Sequence, residues 1–512
     1  MANTNTQSLF NLYRKHNDYV PVYGTAGFRD DASLLSAIVF RCGVLMGIKS
    51  IQCQKTCGVM ITASHNKESD NGVKLVDYTG DMIDDTWQQH ATQLAQAETY
   101  AEFQLCINKI MPVGGKPTSE CSVLVAIDTR KSGIELMKAC IDGIESVGVN
   151  VVKLGVVTTP ELHFNVVKAN ANVELNYIQH LEACFKSLNK INLNYRQINI
   201  YHVDCANGVG YLRMQELKPC LASVGIRVEL YNHGDGELNH MCGADFVEKE
   251  VKFPKGMHDV PENAKCCSID GDADRIVFFT KRNGEFHLIN GDKIACLFAT
   301  YIQNKVSKYA TTYHQPKLGI VQTAYANGAS SNYIKNNLGK IDLVYADTGV
   351  SYLHKKAKLF DIGIYFEANG HGTVLFNPDY LKDIQNTRLG IIAQLLNQNT
   401  GDALADMLLV EVILQDYSFF EWIDMYTDLY CKQSKIHVDR TAFQTKDFGR
   451  VCIKPVGLQE EIDSIVSQYP KARAFVRPSG TENIVRLYVE CQNQDDIDVI
   501  VSQITDKVII YA

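Results

Sequence analysis

Short β-branched runs alternate with longer helical stretches along most of this chain, and that alternation restricts it to α/β architectures. The runs at 58–62, 122–127, 150–154, 198–204, 266–269, 275–280, 318–322 and 362–366 read as strands, and 86–99, 133–147, 292–305 and 350–360 read as helices. Polar residues close several of the runs, as in Asp128-Thr129-Arg130 and Asp204-Cys205-Ala206-Asn207-Gly208. The carboxyl ends of strands are where open α/β sheets bind ligands. A chain of 512 residues exceeds a single core, so three or four domains are expected. Breaks in the pattern near 170–190, 290 and 400–430 suggest seams, and the alternating strand 484–489 with its following helix reads as a smaller α+β domain.

A net charge of −8 without a basic stripe argues against nucleic-acid binding. No run approaches the ~20 apolar residues that span a bilayer, and MANTNTQSLFNLYRKHND lacks the form of a secretory signal. A cytoplasmic location and no membrane partner are expected. The sixteen cysteines are scattered, with Cys53 and Cys57 a lone C-x-x-x-C, so reduced thiols in apolar runs are expected rather than zinc ligands or disulfides.

The segment CCSIDGDADRIVFF places Asp270, Asp272 and Asp274 at alternate positions between two apolar runs. Like charges this close repel by ~1 kcal/mol even at water-like screening, and more when partly buried. A hard divalent cation with oxygen ligands, Mg²⁺ above all, relieves that repulsion. An EF-hand loop is excluded, since Arg275 and Lys281 stand where Gly and Glu are needed. The plainer reading is a solvated acidic turn in a hairpin.

Three more loops carry chemistry-bearing residues. VMITASHNKESDNGVKLV delivers Ser64, followed by His65, from one apolar run into a polar loop. RAFVRPSGTENIVRLYVE ends a strand in Arg477, continues through Pro478, Ser479, Gly480 and Thr481, and carries Arg486 on the next strand. Glycine admits an anion to the backbone, and two guanidinium forks suit phosphate; an ordinary Pro-Ser-Gly hairpin turn is the alternative. IGIYFEANGHG offers Glu367, Asn369 and His371, a set of donors and acceptors suited to sugar hydroxyls or to capping a helix. Neither a phosphate-binding G-x-x-x-x-G-K-[ST] nor a G-x-S-x-G elbow is present.

These segments, with YGTAGFR (23–29), GADFV (243–247), GDKIA (291–295) and QTAYANG (322–328), resemble the α-D-phosphohexomutase superfamily, and within it the eukaryotic branch acting on N-acetylglucosamine phosphates. The likeness runs from about Tyr23 to the C-terminal strand. It implies three similar mixed-sheet α/β domains plus a smaller C-terminal α+β domain around a central cleft. The expected spans are 1–175 for the serine, 176–290 for the metal, 291–405 for the sugar, and 406–512 for a linker and the phosphate. It also implies a phosphoserine at Ser64 and one Mg²⁺ held by Ser64, Asp270, Asp272 and Asp274. Arg29 and His65 would assist the transfer, with His65 either a proton shuttle or a residue that orients Ser64. Substrate would meet Arg275, Thr348, Gly349, Glu367, Ala368, Asn369, His371, Arg477, Pro478, Ser479, Gly480, Thr481 and Arg486. The implied reaction interconverts N-acetylglucosamine 6- and 1-phosphates through a hexosamine 1,6-bisphosphate, for UDP-N-acetylglucosamine synthesis. A small-molecule sugar phosphate is the only partner implied.

Three positions depart from the pattern of the superfamily: Lys67 and Lys131 stand where proline is usual, and Ser351 where lysine is expected, with Lys355 or Lys356 as substitutes. They leave open a catalytically weak or dead sugar-phosphate-binding homologue. A metal-dependent phosphohydrolase is a further alternative, although its D-x-D-x-[TV] pattern fails at Asp274.

Overall fold

The structure, a computed structural model, describes residues 4–16, 18–189, 199–309, 315–480 and 483–512. The chain divides into two compact units, one of residues 1–290, 369–374 and 384–415, the other of 291–368, 375–383 and 416–512.

The first unit holds two five-stranded mixed sheets. One comprises β1 (Phe28–Asp31), β2 (Thr56–Ile61), β3 (Asp70–Val76), β4 (Ser122–Ile127) and β5 (Asn150–Val156), in the order β1-β3-β2-β4-β5. Here β2, β4 and β5 run parallel, while β3 is antiparallel to both β2 and β1. Every residue of β2 is buried, which explains the polar-free run from Cys57 to Ile61. Cys57, Val59 and Ile61 enter a core with helices Ser36–Cys53 and Gly133–Ser146. Met60 turns to the opposite face, against Leu162 and Val166 of helix Thr159–Asn170. The two helices of the first face touch backbone to backbone, since a Cβ on Gly43 would lie 2.2 Å from the Cys140 carbonyl oxygen. Helix Ser36–Cys53 is long and apolar enough to cross a membrane by length and composition, but 83% of it is buried inside this fold.

The second sheet contains β6 (Asn199–Asp204), β7 (Ile226–Tyr231), β8 (Lys265–Ile269), β9 (Ile276–Arg282) and β10 (Glu285–Ile289), ordered β10-β9-β8-β6-β7. Its β6 is parallel to β7 and β8, and β9 is antiparallel to β8 and β10.

The second unit contains β11 (Leu318–Gln322), β12 (Ile341–Tyr345) and β13 (Ile362–Phe366), with β11 parallel to both others. With β14 (Gly372–Phe376) the sheet order is β12-β11-β13-β14. The C-terminal part builds a three-stranded antiparallel sheet from β15 (Tyr430–Ile436), β18 (Arg473–Pro478) and β19 (Val485–Cys491), ordered β15-β19-β18. The short strands β16 (Gln444–Lys446) and β17 (Val451–Lys454) form a separate ribbon. Helices Leu458–Val466 and Gln494–Tyr511 cover one face of the three-stranded sheet, packing Ile462, Ile500 and Ile504 against Val476, Leu487 and Val489.

Three of the loops singled out by sequence occupy equivalent topological places. Each joins a parallel strand (β2, β8 or β13) to the neighbour that follows it in chain and sheet (β3, β9 or β14). The expected helix 86–99 ends at Gln96, because Thr99 and Glu102 form a reciprocal capping box that starts a new helix, Tyr100–Ile110. The expected helix 350–360 is shorter, Val350–Ala357, and the expected strand 198–204 begins at a residue outside the described ones. All sixteen cysteines are free thiols.

Candidate active site

Ser64 is fully buried, in the left-handed region at φ +51°, just after β2. A non-glycine residue there costs about 1 kcal/mol or more, so the surrounding structure must impose it. Arg130 and Asn239 do so. The Arg130 guanidinium donates to the carbonyls of Ser64 (3.1 Å), Asn66 (2.9 Å), Asp70 (2.8 Å) and Lys67, while its Nε meets Asp128 Oδ2 at 3.0 Å. Asn239 Nδ2 donates to the Ser64 and Asn66 carbonyls at 2.8 and 2.9 Å. Asp128 also accepts from Thr62 Oγ1 at 2.7 Å, and that hydroxyl in turn accepts from the Ser64 amide. Thus the loop is clamped through its backbone, and the Ser64 side chain points away from the clamp toward Asp272.

Ser64 Oγ donates to Asp272 Oδ2 at 3.1 Å and accepts from Arg29 Nη2 at 3.0 Å. Serine and acidic triplet, 208 residues apart in the chain, therefore form one site. The contact is close enough to dictate residue type: a Cβ on Gly271 would sit 2.6 Å from the Ser64 carbonyl oxygen. Ala273, inside the acidic loop, is also left-handed at φ +58°. This turn splays the three carboxylates so that one oxygen of each lies within 4.8 Å of the others.

Asp270 and Asp272 each have one arm used and one reserved, while Asp274 has both arms engaged. Asp270 Oδ1 accepts the amides of Asp274 and Arg275 at 3.0 and 3.2 Å. Asp272 Oδ2 accepts from Ser64, from Lys74 Nζ at 2.8 Å and from Thr159 Oγ1 at 2.5 Å. Lys74 also reaches Asp274 Oδ2 at 2.6 Å. Asp270 Oδ2 and Asp272 Oδ1 are buried and accept no hydrogen bond among the described residues. Buried carboxylate oxygens without donors fit a divalent cation with oxygen ligands. Burial, then the charges of Asp274 and Asp272, push the Asp270 carboxyl well above its usual range. Burial pushes Asp274 up as well, but Lys74, His371 and Arg275 outweigh it and hold Asp274 well below.

Gly370 has φ +84° and no room for a Cβ, which would lie 1.8 Å from the Ile276 carbonyl oxygen. Its close approach delivers His371 beside the acidic loop, with Nδ1 3.1 Å from Asp274 Oδ1 and Nε2 buried without a hydrogen bond among the described residues. The expected sugar contact thus also braces the acidic loop. Asn369 Oδ1 accepts the His371 amide at 3.1 Å, shaping the same turn. Burial, with Arg275 and Arg29 nearby, lowers the His65 pKa well below its usual value, so the imidazole is neutral. Arg275 Nη1 lies 3.5 Å from Asp245 Oδ1, in the GADFV segment.

In the second unit, Glu367 and Ala368 follow β13, and the Ala368 carbonyl accepts the Gly291 amide at 3.0 Å. Arg477 and Arg486 are direct cross-strand partners on β18 and β19, and Lys435 pairs with Arg486 from β15. Three cations in one row across a sheet are mutually destabilising unless an anion joins them. Arg477 donates to Thr348 Oγ1, while Gly349, at φ +127°, opens helix Val350–Ala357. The Ser479 amide donates to the Ile484 carbonyl at 3.0 Å, closing the Pro478–Gly480 turn; Thr481 lies outside the described residues.

Family models for phosphoacetylglucosamine mutase match this chain at residues 168–277 (domain II) and 290–419 (domain III). Models of the phosphoglucomutase/phosphomannomutase family match at 44–102 and 96–175 (domain I) and at 453–507 (C-terminal domain). The phosphoacetylglucosamine mutase of Homo sapiens is 41% identical over 95% of this chain and 93% of its own length. This chain belongs to the phosphoacetylglucosamine mutase family. The Arabidopsis thaliana member is 40% identical over 95% of the chain and 94% of its own. Among solved structures, an N-acetylglucosamine-phosphate mutase in a substrate complex matches with a TM-score of 0.92 at 36% identity, covering 99% of this chain and 100% of that one. The Aspergillus fumigatus N-acetylphosphoglucosamine mutase, in complex with GlcNAc-6P and magnesium, matches with a TM-score of 0.90 at 35% identity, covering 99% of each chain.

Sequence reading missed several residues that this family member brings to the site. Lys74 sits in the quoted DNGVKLV but drew no role, although a lysine amid apolar strand residues is itself a signal. Thr159 and Asn239 come from separate segments, and only folding joins them to Ser64 and Asp272; Arg130 stands at a strand end marked by the sequence pattern, but its role is not legible there. Lys67 and Lys131 point outward, pairing with Asp70 at 3.5 Å and Glu68 at 3.1 Å. Ser351 is buried in its helix at 7% exposure.

Proposed function

We propose that this chain interconverts N-acetylglucosamine 6-phosphate and N-acetylglucosamine 1-phosphate, with Ser64 as the phosphoryl carrier, feeding UDP-N-acetylglucosamine synthesis. The observation that carries this reading is the 3.1 Å contact between Ser64 Oγ and Asp272 Oδ2. It brings the one serine of the TASHN segment onto the acidic triplet. Asp270, Asp272 and Asp274, with a Ser64 oxygen, would hold Mg²⁺. That ion, when bound, withdraws charge from the transferring phosphoryl group.

The chain's own residues supply the rest. Arg29 adds positive charge at the oxygen that carries the group, and Lys74 offsets the two carboxylates that it touches. Such fixed, pre-oriented charge is the main catalytic resource in phosphoryl transfer. His65, held neutral and weakly basic, suits orienting Ser64 better than taking a proton; His371 presents Nε2 toward proton transfer or a sugar hydroxyl. Arg477, Arg486, the Pro478–Gly480 turn and Thr481 would take the phosphate that is not reacting. Glu367, Asn369, Thr348 and Gly349 would read hydroxyls and position the ring, with Arg275 adding charge beside the acidic loop. Because the clamp reads phosphate rather than a ring position, it serves both the 6-phosphate and the bisphosphate after it turns around. The acidic, thiol-rich chain fits a reducing cytoplasm.

Intact-mass measurement of wild type and Ser64→Ala, coupled to N-acetylglucosamine 1-phosphate formation with Mg²⁺, tests the reading. Wild type should gain the mass of one phosphate on exposure to a sugar bisphosphate, and the variant should lose both adduct and activity. Full turnover by Ser64→Ala would defeat the proposal.

A further inference from the structure

Within the second unit, the β18–β19 hairpin presents three layers on the face opposite its helices. Arg473 pairs with Glu490, Phe475 with Tyr488, and Arg477 with Arg486. The first layer grips the QTAYANG segment. Arg473 forks onto Glu490 at 2.9 and 3.2 Å and donates to the carbonyls of Ala324 (3.1 Å) and Ala326 (2.9 Å). Glu490 accepts the Gly328 amide at 3.0 Å. The second layer is apolar: Phe475 and Tyr488 stack, and Tyr325 meets both edge-on, with ring centroids 5.1 and 5.7 Å away. The third layer is the phosphate clamp, with the Arg477 guanidinium 5.9 Å from the Tyr325 ring centre.

The Tyr325 hydroxyl is buried and has no hydrogen-bond partner among the described residues. A buried phenol without a partner is costly unless a ligand completes it. Burial raises its pKa, opposed by Arg477 and Arg486, so it remains a proton donor at neutral pH.

We propose that Tyr325 is a further phosphate-binding residue, its hydroxyl donating to the anion that Arg477 and Arg486 hold. Arg473 and Glu490 are the positioning pair that fixes this ring beside the clamp. The segment QTAYANG thereby gains a function: it carries a donor to the anion and the surface on which the hairpin is seated. The inference rests on the clamp reading above and adds a neutral donor to it.

Titration calorimetry of N-acetylglucosamine 6-phosphate, and separately of inorganic phosphate, into full-length wild type, Tyr325→Phe and Arg477→Ala tests it. Tyr325→Phe keeps the ring and its packing, so the melting temperature should not change. Affinity for both ligands should fall about ten-fold, as for loss of a hydrogen bond to a charged group. Unchanged affinity, or weakening that appears only with a lowered melting temperature, overturns the proposal. If Arg477→Ala binds both ligands as wild type does, the clamp reading itself fails, whatever Tyr325→Phe shows.

Discussion

Replacing Arg130 by methionine tests how Ser64 is held. Both Arg130 and Asp128 have fully buried side chains, joined at 3.0 Å. Removing one partner of such a pair costs about 3–5 kcal/mol, because the other charge is stranded. Most of the carbonyls that Arg130 serves keep a second donor. Those of Ser64 and Asn66 retain Asn239, and that of Lys67 retains the Asp70 amide at 3.1 Å. The stranded Asp128 therefore dominates the loss, and Arg130→Met combined with Asp128→Asn should recover half or more of the stability. Urea unfolding of the single and double variants measures this. Burial already raises the Asp128 pKa, and Arg130 opposes the rise. Without Arg130 the folded value climbs further above the unfolded one. The deficit should then be smaller at pH 5 than at pH 8, since a proton held only by the folded state stabilises it at low pH. Turnover should fall about 10²-fold in both variants, because a small misplacement of the reacting oxygen is that costly. A double variant less stable than Arg130→Met, or a single variant with wild-type turnover, would refute the reasoning.

Gly271→Ala should displace the Ser64 loop, because its Cβ would stand 2.6 Å from a fixed carbonyl; steady-state assays should show kcat falling about 10²-fold with KM little changed, and a normal kcat would disprove the close approach. Lys74→Met removes the cation lying 2.8 and 2.6 Å from Asp272 and Asp274. Its melting temperature in chelator should drop, and added Mg²⁺ should raise it by more than in wild type; an equal Mg²⁺ effect would count against Lys74 as the internal counter-charge. Burial raises the Asp292 pKa to about 7. The folded chain then keeps a proton that the unfolded chain releases, so this contribution is complete below about pH 4 and lost as pH rises to 7, by at most ~1.4 kcal/mol per unit. Asp292→Asn should flatten that slope in pH-dependent denaturation, and an unaltered slope would show that Asp292 titrates normally.

What the sequence disclosed and what it withheld differ by chain distance. Alternating aspartates between apolar runs announce a hairpin whose turn suits a divalent cation, and the structure brings one oxygen of each within 4.8 Å of the others. Arginines flanking Pro-Ser-Gly announce a basic turn, and Arg477 and Arg486 are cross-strand partners. Both signals lie within a dozen residues. By contrast, Lys74 lies 198 residues from Asp272, and Asn239 lies 175 from Ser64. Local pattern cannot report such pairs. Edge strands such as β7 and β12 also escaped, being half exposed and lacking unbroken apolar runs.

The sheets suggest why the serine and acidic loops can hold unfavourable backbone states. A loop between a buried parallel strand and its neighbour is anchored at both ends by ladder hydrogen bonds, so its few residues can be forced into unfavourable backbone states. Ser64 at φ +51° and Ala273 at φ +58° occupy such states in the two sheets of the first unit. Asp128, at the end of β4, braces the serine loop through Thr62 and Arg130, and Asp204, at the end of β6, holds Ser268 on the strand that leads into the acidic loop. Asp204 Oδ2 accepts from Ser268 Oγ at 2.6 Å and from the Gly243 amide at 2.7 Å. Side chains that would otherwise relax are thus fixed from behind, an arrangement that suits the transfer proposed for Ser64. Preorganisation of this kind is what electrostatic catalysis requires. It predicts that substitutions at Asp128 and Asp204, neither a metal ligand, reduce kcat more than KM.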